Sequence, residues 1–411
     1  MGVCGLISLT VGLLVLFLAV HLYSPVPDGL AEPWLTRTLI AAFRFAQLVA
    51  STTSTLTGIS TSRVMRWQVD VIYKPILSSQ PGISVEDQNF EGIPVRVYRP
   101  DSAESSAPCV LYFHGGGWSL FSVDTYSLVT SNLARHTNAV VISVSFRLAP
   151  EHPYPIPFDD CVKATRHVLH NSLRYGIDST RVSVAGDGSG ANLAAAVALR
   201  LSEEDSQHTP ALKLQVLIQP ALQAFTFDTP SYRQNAAFTV VTRSQMIEFW
   251  CHYIGIKPSS AALLSMQANK HISASVRRSV YSIFFQEHKL PEYTKHNFVE
   301  SSLGQHDVDY DRQVSELVEA KVIDPFVSPL LAEDVSKLPP AYILVAEYDV
   351  LRDDGLFYAS RLSEVNLSVR VEYISDQSQG FLAPLADVWF LKSGKSGEVW
   401  DKIYTYLKQT L

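Results

Sequence analysis

What this chain lacks narrows its function first. It has no block of lysine or arginine, and a net charge of −7 over 411 residues gives no cationic footprint for nucleic acid. Its four cysteines, Cys4, Cys109, Cys161 and Cys251, are too few and too dispersed for a disulfide framework or a metal cluster. They read as core thiols, with Cys4 open to palmitoylation, and neither a metal nor another cofactor is expected. No histidine follows His306, and neither internal repeats nor low-complexity tracts stand out. What is present, 47% hydrophobic and 18% charged residues, suffices for a large core: one big α/β domain with a cap, or two domains.

The stretch from Gly5 to Tyr23 is uncharged and about as long as a bilayer core requires, so residues 1–23 read as a single membrane anchor. No small-x-small cleavage site follows, which disfavours a cleaved signal peptide. With the amino terminus cytosolic, the bulk of the chain is lumenal or extracellular. The sequon Asn366-Leu367-Ser368 fits that placement as a glycosylation site.

Residues 24–90 are expected to be a helical cap segment, from the helical spacing of Leu39, Ala42, Phe43, Phe45 and Ala46. From Pro94 onward, short β-branched runs alternate with helical segments. The runs lie at 94–98, 109–113, 140–144, 182–185, 214–218, 341–345 and 369–373. This pattern implies βαβ units and a mostly parallel sheet flanked by helices. The sheet core is expected over 91–224 and 336–411. The interval 225–335, aromatic and polar without a buried strand, reads as a cap insertion. Its aromatics, including Phe249, Trp250, Tyr253, Phe284 and Phe285, are assigned first to core and second to a ligand pocket.

Two glycine-rich turns follow strands. In His114-Gly115-Gly116-Gly117-Trp118, successive glycines let backbone N–H groups approach a ligand oxygen, as an oxyanion loop requires. In Gly186-Asp187-Gly188-Ser189-Gly190, a strand-to-helix elbow survives, but its centre, where a serine nucleophile would stand, is Gly188. Glycine there should relax the elbow's strain while removing the reactive oxygen. Ser189 is one place off. As a displaced nucleophile it would need glycine where Asp187 and Ala191 stand, and a base as well. Asp349 follows a strand where a triad acid would lie. Gln379, in the loop after the last strand, stands where the base is expected, and its amide cannot act as a general base near neutral pH.

Together with Tyr23-Ser24-Pro25-Val26-Pro27-Asp28, Phe146-Arg147-Leu148-Ala149-Pro150, Leu222-Gln223-Ala224-Phe225, Pro230-Ser231-Tyr232 and Tyr348–Asp354, these motifs resemble the hormone-sensitive-lipase-like α/β-hydrolases. Specifically, they resemble the membrane-anchored arylacetamide deacetylase and neutral cholesterol ester hydrolase group. The resemblance implies an α/β-hydrolase fold in a single-pass protein of the endoplasmic reticulum membrane with a lumenal carboxyl-terminal domain. It places the family's serine on Gly188, its histidine on Gln379 and its acid on Asp349, and its oxyanion donors on Gly115, Gly116 and the Ser189 N–H. Two family cysteines fall on Ser119 and Ala346. The resulting expectation is a silent carboxylesterase scaffold that binds an acyl or lipid-like ligand. The alternatives are an active ester hydrolase of unrecognised arrangement and a non-catalytic partner of an active relative.

Overall fold

The computed structural model describes residues 23–73, 81–204, 209–237, 239–294, 309–382 and 394–411. The expected anchor therefore lies, apart from Tyr23, outside the described residues, as does Cys4. Among the described residues no helix is long and apolar enough to cross a membrane.

Eight strands form one sheet: β1 (Ile83–Phe90), β2 (Ile93–Pro100), β3 (Ala107–Phe113), β4 (Val140–Val144), β5 (Ile177–Asp187), β6 (Leu214–Ile218), β7 (Ala341–Tyr348) and β8 (Val369–Ser378). Their order is β1-β2-β4-β3-β5-β6-β7-β8. β2 is antiparallel to both neighbours, and every pairing from β4 to β8 is parallel. Both faces of the centre are covered, which is why its strands read as continuous apolar runs. Along β3, Cys109, Leu111 and Phe113 enter one core, and Val110 and Tyr112 the other. Cys109, Cys161 and Cys251 are free thiols in these interiors.

β1 corrects the expectation that residues 24–90 are helical throughout. It is an edge strand exposed along most of its length, with only its ends, Ile83 and Phe90, buried. It carries no apolar run, and eight paired positions along β2 hold it in place.

The helices are α1 (Pro33–Thr57), α2 (Thr61–Tyr73), α3 (Ser127–Thr137), α4 (Ile156–His170), α5 (Ser189–Ser202), α6 (Pro230–Gln234), α7 (Arg243–Tyr253), α8 (Ser260–Gln267), α9 (Ala274–Arg277), α10 (Arg312–Val322), α11 (Arg352–Glu364) and α12 (Gly394–Thr410). α1 opens with proline in its first turn and closes on Gly58, whose N–H caps the Ser54 carbonyl. α4, α5 and α11 pack in the first core, α3 and α12 in the second. Between β6 and β7 the described residues form helices and turns. This insertion is tied to the start of α11 by buried carboxylates: Asp354 accepts from the Leu222 N–H and the Gln223 amide, and Asp353 from the Ser231 N–H.

α5 sits unusually close to the sheet. A Cβ on Gly190 would overlap the carbonyl oxygens of Phe113 and His114 at the end of β3. Gly190→Ala should therefore destabilise the fold by about 1–3 kcal/mol despite alanine's better helix propensity. Gly397→Ala in α12, where a Cβ meets nothing within 4 Å, should be neutral or stabilising. Denaturant unfolding of the two variants checks the contrast.

Candidate active site

The carboxyl ends of β5, β6, β7 and β8, adjacent in the sheet, carry Gly188, Gln219, Asp349 and Gln379 in turn. Such ends are where open α/β sheets place their ligands. Gly188 keeps the elbow conformation, φ 52° and ψ −112°, with its N–H on the Ile218 carbonyl at 2.9 Å. The turn has not relaxed to an ordinary conformation; lacking a Cβ, glycine holds this one without the usual penalty. A Cβ built on Gly188 meets nothing within 4 Å, so the space of a nucleophilic side chain is open. The hydroxyl of Ser189, at the first position of α5, is buried, and its oxygen has no partner among the described residues.

Asp187 braces the oxyanion loop from beneath. Its half-buried carboxylate accepts from the Tyr112 hydroxyl at 2.9 Å, the Tyr126 hydroxyl at 2.7 Å and the Gly115 N–H at 3.1 Å. Burial pushes its pKa up to about 6, with the three donors pulling the other way. This corrects the assignment of Gly115 as an oxyanion donor, because its N–H is already committed to Asp187. The N–H groups of Gly116, Gly117 and Ser189 have no partner among the described residues, and all three residues line the cavity.

His114 is a packing residue. It is buried, stacked on Phe146 at 4.5 Å between ring centroids, and its Nδ1 lies 2.9 Å from the Gly115 carbonyl. Burial depresses its pKa to about 4, so it is neutral at pH 7. Trp118 stacks on Tyr253 at 4.3 Å in the core, not in the pocket. Of the insertion's aromatics, Trp250 and Tyr253 are core, and Phe249 both lines the cavity and fills the space above Gly117.

Asp349 is fully buried, and burial raises its pKa to about 7. Its Oδ1 accepts from the Leu351 N–H at 2.9 Å. Its Oδ2 accepts at 3.1 Å from the side-chain amide of Gln219, a residue the sequence reading passed over. The Gln219 Oε1 in turn accepts from the Gly380 N–H at 3.2 Å, bridging to the loop after β8. Gln379 also lines the cavity, but its side-chain oxygen is buried without a partner among the described residues. A polar residue ending the apolar run of β6 was the signal available; its meaning depends on β6 lying between β5 and β7.

Above these strand ends is a cavity of about 210 Å³, walled by Leu39, Ala42, Phe43 and Ala46 of α1, Met65 and Val69 of α2, and Met246 and Phe249 of α7. Of its described lining residues only Tyr126 and Asp187 carry titratable side chains, and none is a histidine, cysteine, lysine or arginine. The site can hold an apolar ligand with a carbonyl or similar acceptor against backbone N–H groups.

A mostly parallel sheet with an elbow between β5 and α5, a glycine-rich loop after β3 and an aspartate after β7 defines an α/β-hydrolase. The profile of the alpha/beta hydrolase fold matches residues 110–281 and 261–383. Neutral cholesterol ester hydrolase 1 of Rattus norvegicus is 33% identical over 380 residues, covering 89% of this chain and 90% of the relative. Arylacetamide deacetylase of Bos taurus is 35% identical over 376 residues, covering 89% and 91%. The esterase of Pyrobaculum calidifontis superposes with a TM-score of 0.61 at 26% identity, over 85% of this chain and 92% of that one. A thermostable esterase from Pseudomonas putida ECU1011 gives 0.64 at 23%, over 94% and 99%, which speaks for the fold alone. The chain belongs to the α/β-hydrolase family, in the carboxylesterase and lipid-ester hydrolase lineage of the arylacetamide deacetylases and neutral cholesterol ester hydrolases.

Asp349 has a folded pKa of about 7 against an unfolded value near 4. The fold therefore favours its protonated form, and ionisation weakens the fold increasingly as pH rises through that window. The unfolding free energy of Asp349→Asn relative to the parent should become more favourable to the variant from pH 4 to pH 8. A difference independent of pH would show that the carboxyl is not held in this state.

Proposed function

We propose that this chain is a catalytically silent member of its lineage that retains the cavity as a binding site for an acyl or other lipid-like ligand. The observation that carries the reading is the disposition of three strand ends. Gly188 offers no hydroxyl, Asp349 is engaged by an amide that donates but cannot take up a proton, and Gln379 likewise supplies no base. In serine proteases, loss of triad members leaves only about 10³–10⁴-fold over water, from binding and oxyanion stabilisation. The partnerless N–H groups and the apolar cavity are the parts that such a loss leaves intact.

The same reading places the chain in the endoplasmic reticulum membrane through residues 1–23, with the described residues on the lumenal side. Asn366 is exposed on the turn after α11, a position accessible to glycosylation.

The full chain should hydrolyse a short-chain aryl ester no faster than about 10⁴-fold over buffer, and Ser189→Ala should not alter that rate. Gly188→Ser alone should stay inactive and be slightly destabilised. Any histidine placed at 379 competes with Gln219 for Asp349, so Gly188→Ser/Gln379→His should gain weak esterase activity, more when Gln219→Ala is added. Turnover by the parent at ordinary enzymatic rates, abolished by Ser189→Ala, would make Ser189 the nucleophile and overturn the proposal.

A further inference from the structure

We infer that the outer face of α1 and α2 lies in the surface layer of a phospholipid bilayer, so that the cavity beneath opens toward lipid. The inference rests on the anchored, lipid-binding reading above and adds a second, separate membrane contact. Seventeen large hydrophobic residues are exposed among the described residues, and eight of them fall between 23 and 71: Tyr23, Trp34, Phe45, Val49, Leu56, Ile59, Trp67 and Val71. The other nine are scattered over the rest of the described chain.

On α1 this exposure is ordered. Trp34, Phe45, Val49 and Leu56 fall on one stripe about 60° wide at 3.6 residues per turn. Trp67 and Val71 are one turn apart on α2. Trp34 is 56% exposed, Leu56 80% and Trp67 65%, values that an aqueous surface does not favour for side chains of this size. α1 carries no acidic residue. Its charges are Arg37 and Arg44, and the Arg44 guanidinium is turned to the carbonyls of Tyr23, at 3.0 Å, and Ala237, at 3.3 Å. A helix with tryptophan, phenylalanine and leucine on one face and few charges has the character of an element lying in the membrane interface, where tryptophan concentrates.

The occupant follows from continuity. The long apolar stretch from Gly5 reaches to Tyr23, and the Tyr23 carbonyl is bound by Arg44 in the middle of α1. An anchored segment thus leaves the bilayer against the helix that bears the apolar stripe. The opposite sides of the same helices, through Leu39, Phe43, Met65 and Val69, wall the cavity. A lipid-like ligand need pass only between two helices to reach Gly188, without crossing bulk water.

The test uses the full chain reconstituted in phosphatidylcholine vesicles with ordinary or brominated acyl chains. Flotation reports the anchor and quenching of tryptophan emission reports the face. Of the six tryptophans, Trp118, Trp250 and Trp400 are buried and Trp389 lies outside the described residues, so the parent for this test carries Trp389→Phe, and in it Trp34 and Trp67 dominate quenching if the inference holds. Brominated lipid should quench the parent, and Trp34→Phe/Trp67→Phe should lower the quenched fraction by half or more, with flotation and thermal midpoint unchanged. A chain that floats but whose quenching is absent, or is unaffected by the double variant, overturns the inference and leaves the anchor standing. That result would mean the stripe is covered by a second copy or by the chain's own amino terminus. A chain that does not float overturns both.

Discussion

The site depends on one backbone contact. Where α5 begins, Gly190 lies against the carbonyl oxygens of Phe113 and His114, so close that the space for a side chain is already occupied. Interiors packed to this density do not stretch to admit a methyl group. The contact sets the turn at Gly188 and brings the start of α5 to the cavity. It also carries Asp187 beneath the glycine loop, 72 residues earlier in the chain, where its carboxylate gathers two tyrosine hydroxyls and the Gly115 N–H. None of these interactions uses a hydroxyl at position 188. A glycine at 188 therefore leaves the frame standing.

Asp349 is satisfied without a histidine. A buried carboxyl needs donors, because unpaired burial costs several kcal/mol. In a triad, the histidine N–H supplies one and the opposite ring nitrogen takes the proton. Gln219 performs the first task only: its amide nitrogen donates to Asp349, and its oxygen receives the Gly380 N–H. The two halves of the histidine's role are separable, and Gln219 supplies the donor half. Asn235 reinforces the arrangement from the insertion, its amide donating to the carbonyls of Glu347 and Asp349. The acid loop is thus held from the sheet and from the cap together.

Much of this was legible in the sequence. β4 and β6 coincide with the apolar runs at 140–144 and 214–218, because strands buried on both faces need no alternation. The positions of Gly188, Asp349 and Gln379 at strand ends followed from turn chemistry and spacing. β1 escaped because an exposed edge strand is specified by its partner more than by its own side chains. Gln219 escaped for another reason: its significance requires knowing that β6 runs beside β7, a pairing across about 130 residues. The commitment of the Gly115 N–H to Asp187 and the burial of His114 under Phe146 are likewise contacts through space, which a linear motif does not encode.

The cavity itself bears on the silent-binder reading. The cavity of about 210 Å³ opens to the surface, so its apolar lining is left against water when nothing fills it, at a cost of about 25 cal/mol per Å² of apolar surface. Larger side chains at Ala42 or Ala46, which line that space, are the simple way to remove such a cost, yet both positions are alanine. An apolar ligand offsets the same cost by occupying the space. On the silent-binder reading proposed above, the quantities that matter are affinity and residence time in place of turnover. Those are set by the walls of α1, α2 and α7, which makes the cap, and no longer the catalytic residues, the part of the fold on which its specificity depends.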